Sequence, residues 1–153
     1  MKKLLLILLC FPLLVFSQDE KRLALVIGNA NYDKGELKNP VNDALLIAKT
    51  LDSLDFDVIL DTNIANKSDF TEVVMEFGDK RIDYDIALVY YAGHGVQIPF
   101  PDGTSVNYLL PTKVDFQKET DVRLKALSVQ DIMMFLTGMT NQVNILILDA
   151  CRD

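Results

Sequence analysis

The chain carries one histidine and two cysteines, and the residues around them carry chemistry. His94 sits in Tyr-Tyr-Ala-Gly-His-Gly95 and Cys151 in Asp-Ala-Cys-Arg-Asp153, each straight after an apolar run with the character of a buried strand. A thiol becomes a usable nucleophile when a neighbour favours its thiolate, and an imidazole is the commonest such neighbour. With so few copies of each there is little freedom in pairing them, and the pattern points to a cysteine-nucleophile hydrolase. Each residue alone has an ordinary alternative: a lone cysteine is often a small buried hydrophobe, and a strand-end histidine is often a hydrogen-bonded structural residue. Finding both behind strand-like runs favours the chemical reading.

The other cysteine, Cys10, lies in a leader. Met1, Lys2 and Lys3 form a positive start, Leu4 to Phe16 an apolar run broken by Pro12, and Val15 and Ser17 suit cleavage before Gln18. Residues 1–17 are therefore expected to be a secretory signal peptide, and the product to be exported, periplasmic or secreted. The competing reading, a membrane anchor, falls short of the roughly 20 apolar residues a bilayer core requires. Cleavage would leave Cys151 without a disulfide partner, which in an exported protein flags a reactive thiol. It would also move the formal charge from −7 to −9, with 13 basic residues against 22 acidic ones. Such a surface repels phosphate backbones and anionic lipid, so nucleic acid and membrane surfaces are excluded as partners. Peptide or protein substrates suit it better, with no membrane span once the leader is gone.

The 153 residues, 50% of them hydrophobic, suit one domain over 18–153. Leu23 to Gly28, Phe56 to Leu60, Ile86 to Tyr91 and Val143 to Leu148 read as strands. Asn39 and Pro40 open a helix with Val41, Ala44, Leu45, Ala48 and Leu51 at helical spacing. Ser68 is expected to cap a second, with Asp69 and Glu72 in its first turn and a stripe of Phe70, Val73, Val74 and Phe77. Pro99 to Gly103 is turn chemistry between segments able to pair as a hairpin. Thr112 to Lys125 is charged and expected to be exposed. Ser128 with Asp131 resembles a capping box, ahead of Val129, Ile132, Met133, Leu136 and Met139 on one face, with the methionines read as core. Strands alternating with helices imply parallel neighbours under right-handed crossovers, with chemistry gathered at the carboxyl ends of the strands, where Gly28, His94 and Cys151 lie.

At these residues the sequence resembles the caspase-like cysteine peptidases (peptidase C14, p20-type domain), the paracaspase and metacaspase branch in particular. The segments that carry the resemblance are Ala24-Leu-Val-Ile-Gly-Asn-Ala-Asn-Tyr32, Pro40-Val-Asn-Asp43, Tyr90-Tyr-Ala-Gly-His-Gly95 and Ile147-Leu-Asp-Ala-Cys-Arg152. His94 precedes Cys151 by 57 residues, the order and approximate spacing of the caspase signature. The His-Gly with a later Ala-Cys is shared with legumain-like and gingipain-like peptidases; the Tyr-Tyr-Ala-Gly-His-Gly string is the narrower part. The resemblance implies a three-layer caspase-like (caspase-hemoglobinase) α/β fold, a mostly parallel sheet with helices on both faces. It also implies an endopeptidase in which Cys151 attacks the scissile carbonyl, His94 protonates the leaving amine, and the backbone N–H groups of Gly95 and Cys151 hold the oxyanion. No cofactor and no metal are called for, and activation by calcium is left open.

Specificity follows from departures within that family. Caspases that cut after Asp carry a Gln two residues before the nucleophile and an Arg after the first strand. Here Asp149 stands at the first place and Asn29 to Asn39 contains no Arg. In the paracaspase and metacaspase pattern, carboxylates matching Asp149 and Asp43 line a pocket for Arg or Lys, where paired carboxylates suit a guanidinium or ammonium. The plainer alternatives are that Asp43 merely complements a helix dipole and Asp149 caps a loop. Relatives continue beyond the point where this chain ends, two residues after Cys151, so the expectation is a domain truncated just after the nucleophile, its C-terminal part missing. A second function class therefore stands beside the peptidase: a catalytically incomplete module for partner binding or assembly. A nucleotide-binding domain is disfavoured, because neither a Walker-type loop nor Gly-x-Gly-x-x-Gly follows the first strand.

Overall fold

The computed structural model describes residues 20–137 and 143–150. The expected leader, Met139 and Cys151 lie outside the described residues. In chain order the elements are β1 (Arg22–Gly28), α1 (Pro40–Asp52), β2 (Phe56–Thr62), α2 (Lys67–Lys80), β3 (Ile86–Ala92), β4 (Gly95–Pro99), β5 (Ser105–Leu109), α3 (Glu119–Lys125), β6 (Leu127–Ser128), α4 (Val129–Leu136) and β7 (Val143–Asp149).

The main sheet runs β2-β1-β3-β7, all parallel. Alternation sorts its side chains onto two faces. Ala24 and Val26 of β1 with Leu88 and Tyr90 of β3 meet Ala44, Ala48 and Leu51 of α1. Leu23, Leu25 and Ile27 with Ala87, Val89 and Tyr91 meet Phe70, Val74 and Phe77 of α2 and Ile132 and Leu136 of α4. Both faces are thus covered, as the continuous apolar runs require. Gly28 is in register with Ala92, and Ala92 with Asp149, so β1, β3 and β7 end level along one rim. In the described residues β2 and β7 are the edge strands of this sheet; Val143, Ile147 and Leu148 on β7 are exposed.

The expected hairpin forms as β4 and β5, to which β6 adds antiparallel. Three local expectations need correction. The second helix is capped by Asn66 rather than Ser68: the Asn66 side chain accepts from the Asp69 N–H at 3.1 Å and donates to its carboxylate at 2.8 Å, a reciprocal pair that starts the helix earlier. Asn39 and Pro40 do open α1 as expected, Asn39 at the cap position without a side-chain cap bond. Residues 112–125 are not uniformly exposed: Thr112 is buried, and α3 forms because Glu119 and Asp121 meet its N-terminal dipole, Arg123 and Lys125 its C-terminal one, while Val122 packs on Ile98 and Tyr108. Leu45 and Met133 face outward, since the narrow contacts of α1 and α4 are filled by Ala44, Ala48, Ile132 and Leu136. The Ser128–Asp131 capping box is present as expected, the Asp131 N–H donating to the Ser128 hydroxyl at 3.0 Å. Among the described residues no helix is long and apolar enough to cross a membrane.

Candidate active site

Gly93 and His94 follow β3 directly, at the middle of the rim where three parallel strands end. The chain leaves the sheet here to begin β4, and the backbone of His94 is held on both sides. Its N–H donates to the Tyr32 hydroxyl at 2.8 Å, and its carbonyl accepts from the Tyr91 hydroxyl at 2.8 Å and from the Leu110 N–H at 3.1 Å. The two phenol oxygens lie 3.2 Å apart. Gly93 fits between them: a Cβ there would stand 2.6 Å from the Tyr91 hydroxyl and 2.7 Å from that of Tyr32. Burial raises both phenols above their ordinary pKa, Tyr91 by far the more, so both stay protonated as hydrogen-bond donors.

The imidazole is oriented by the loop between β1 and α1. Its Nε2 lies 2.6 Å from the carbonyl oxygen of Gly35, and its ring centre is 4.5 Å from that of Tyr32. A carbonyl only accepts, so Nε2 carries a proton, and in the neutral ring Nδ1 is the nitrogen with the lone pair. Gly35 has φ +76°, and a Cβ on it would sit 3.2 Å from Nε2. The loop that supplies both contacts is fixed in turn. Asn29, fully buried, donates through its side chain to the Leu110 carbonyl and accepts from the Ile64 N–H. The Asn63 side chain accepts from the N–H groups of Ala30 and Asn31, and the Lys113 ammonium reaches the Asn31 carbonyl and the Asp33 carboxylate, both at 2.8 Å.

Asp149 closes β7 beside this centre; its carbonyl accepts from the Gly93 N–H at 3.3 Å. Its exposed carboxylate accepts from the Tyr90 hydroxyl, also at 3.3 Å. Asp43 lies in the first turn of α1, half-buried. Tyr90 reports on both: burial first, then the charge of Asp149 and its hydrogen bond, then the charge of Asp43, push this phenol up to about 12. Both carboxylates therefore act on one hydroxyl on the α1 side of the sheet. Gly95 begins β4 and, with Ala150, Leu148, Val96, Leu109 and Tyr108, lines a cavity of about 100 Å³. The residue before Cys151 and the candidate oxyanion donor so border the same space. Cys151, the second candidate donor as well as the candidate nucleophile, lies outside the described residues.

His94, Gly95 and Asp149 thus gather around the ends of β3 and β7, and Asp43, in the first turn of α1, is linked to them through its charge on Tyr90. Residue-type reasoning assigned no part to Tyr32, Tyr90, Tyr91 or Gly35. The tyrosines stand inside the strings that carry the resemblance, which is a signal of a kind; a backbone carbonyl such as that of Gly35 leaves none. Among the described residues no group of three or more His, Cys, Asp or Glu could hold a metal ion.

Residues 21–153 match the family described as Caspase domain, peptidase C14. A crystal structure of protein GSU0716 from Geobacter sulfurreducens is similar in fold, with 21% identity and a TM-score of 0.65 over 86% of this chain and 50% of that one. The chain thus spans about half the length of that solved protein. No curated protein matches.

Proposed function

The chain belongs to the caspase-domain family, and on that premise we propose that it is an exported cysteine endopeptidase cutting after Arg or Lys, with Cys151 and His94 as its dyad. The observation that carries the reading is the fixed imidazole. With Nε2 committed to the Gly35 carbonyl, the atom free to exchange a proton is Nδ1, at the rim where β7 ends two residues before Cys151.

The chemistry follows in balanced steps. The Cys151 thiolate forms a bond to the scissile carbonyl carbon, and its former proton resides on Nδ1 of His94. Backbone N–H groups, that of Gly95 among them, hold the oxyanion; such donors contribute about 3 kcal/mol each. Collapse breaks the C–N bond as Nδ1 passes its proton to the leaving amine. Water then attacks the thioester, gives a proton to the same nitrogen, and the C–S bond breaks to restore the thiol. A substrate Arg or Lys is taken by Asp149 and Asp43, supported by their joint influence on Tyr90.

Active-site labelling tests this. Peptide chloromethyl ketones ending in Arg should alkylate Cys151, located by mass spectrometry, and those ending in Asp should not. Asp149→Asn and Asp43→Asn should each remove the preference for Arg. Labelling by neither reagent would overturn the peptidase, and preference for Asp would overturn the acidic pocket alone. Export is checked separately, by N-terminal sequencing of secreted protein for a start at Gln18. The exposed apolar positions of edge strand β7 support the second reading, a module for partner binding or assembly, which gains if the folded protein resists both reagents.

A further inference from the structure

We propose that Tyr32 is a positioning residue for His94, acting on its backbone and its ring together; this rests on the peptidase reading above for its catalytic consequence only. Three contacts converge on one residue from one loop. The Tyr32 hydroxyl accepts the His94 N–H at 2.8 Å, the Tyr32 ring lies 4.5 Å from the imidazole centre, tilted by 58°, and Gly35, three residues on, accepts from Nε2. The hydroxyl has its own proton to place, and it donates to the Leu110 carbonyl at 3.2 Å or shares it with Tyr91. Tyr32 is 9% exposed and Tyr91 is wholly buried, so the two hydroxyls are largely shielded from bulk water.

This arrangement does more than fill space. A Phe at position 32 would keep the ring against the imidazole and lose the hydroxyl that accepts the His94 N–H. That N–H group would be left unsatisfied in a partly buried setting, and the turn after Gly93 would relax toward another acceptor. The imidazole is carried by that turn, so its contact with the Gly35 carbonyl loosens with it. The Tyr91 hydroxyl serves the other side of the residue, donating to the His94 carbonyl.

Because His94 is the sole histidine, its ring resonances in NMR spectra need no assignment by mutation. In the wild-type protein the Nε2 proton, hydrogen-bonded to the Gly35 carbonyl, should exchange slowly enough with water to be seen. In Tyr32→Phe it should be lost to exchange while far-UV circular dichroism is unchanged, and in Tyr108→Phe, a buried phenol of the hairpin, it should persist. With a substrate cut by the wild type, Tyr32→Phe should lower kcat by about 10- to 100-fold at unchanged KM. A folded Tyr32→Phe protein that keeps the Nε2 proton would overturn the proposal. Should that variant not fold, the wild type decides: cross-relaxation between Tyr32 and His94 ring protons supports the proposal and its absence overturns it. The NMR readout needs no turnover, so an inert wild-type protein would count against the peptidase reading and not against this one.

Discussion

Gly93→Ala is the most demanding test of how His94 is held. The added methyl would stand 2.6 Å from the Tyr91 hydroxyl, 2.9 Å from its ring carbon and 2.7 Å from the Tyr32 hydroxyl. Neither phenol is the free end of a flexible chain: Tyr91 is wholly buried, its ring stacked 6.0 Å from that of Phe70, and Tyr32 packs on the imidazole. Relief therefore means moving both rings and giving up the bonds on either side of His94. Overpacking of a tight interior costs about 1–3 kcal/mol, and the hydrogen bonds lost add about 1 kcal/mol each, so the variant should lose about 3–5 kcal/mol. That is a large part of the stability of an ordinary domain, about 5–15 kcal/mol, and leaves a protein folded in water but far easier to unfold. Urea unfolding followed by circular dichroism measures it, and with a slope of about 2 kcal/mol/M the midpoint should drop by about 2 M. Gly103→Ala is the internal comparison. Gly103 also has a positive φ, +84°, but nothing lies within 4 Å of its Cβ position, so only backbone strain of about 1 kcal/mol applies. Equal losses for the two variants, or a loss below 1 kcal/mol for Gly93→Ala at unchanged slope, would refute the clamp.

Gly35→Ala should cost only about 1–2 kcal/mol from its left-handed backbone, yet displace the carbonyl that fixes Nε2; activity should fall far more than stability, as paired kcat and urea measurements would show. Lys113→Ala removes an exposed ion pair to Asp33 worth under about 1 kcal/mol, so the unfolding midpoint should hardly move while limited trypsin digestion at Lys34 accelerates. Tyr90 sets an alkaline limit. Its folded pKa is raised from 10.0 to about 12, so its contribution is complete below pH 10 and is lost as pH rises toward 12. That loss is at most about 3 kcal/mol, and Tyr90→Phe should flatten the fall in unfolding free energy between pH 10 and 12 only in part, since the raised pKa values of Tyr32 and Tyr91 act in the same direction.

The sequence on its own determined the four strands of the main sheet, their parallel arrangement and the placing of His94 and Asp149 at strand ends, because apolar runs of strand length and helical periodicity are local signals that burial on two faces enforces. The Ser128 capping box was legible for the same reason, its partners lying three residues apart. Where signals competed locally, as between Asn66 and Ser68, or were too short, as in α3 with Val122 as its buried residue, only the packed structure decided. The orientation of the imidazole belongs wholly to tertiary structure. It depends on a hydroxyl 62 residues away in sequence and on a carbonyl 59 residues away, and a backbone carbonyl is common to every residue type, so nothing in the letter at position 35 announces the hydrogen bond.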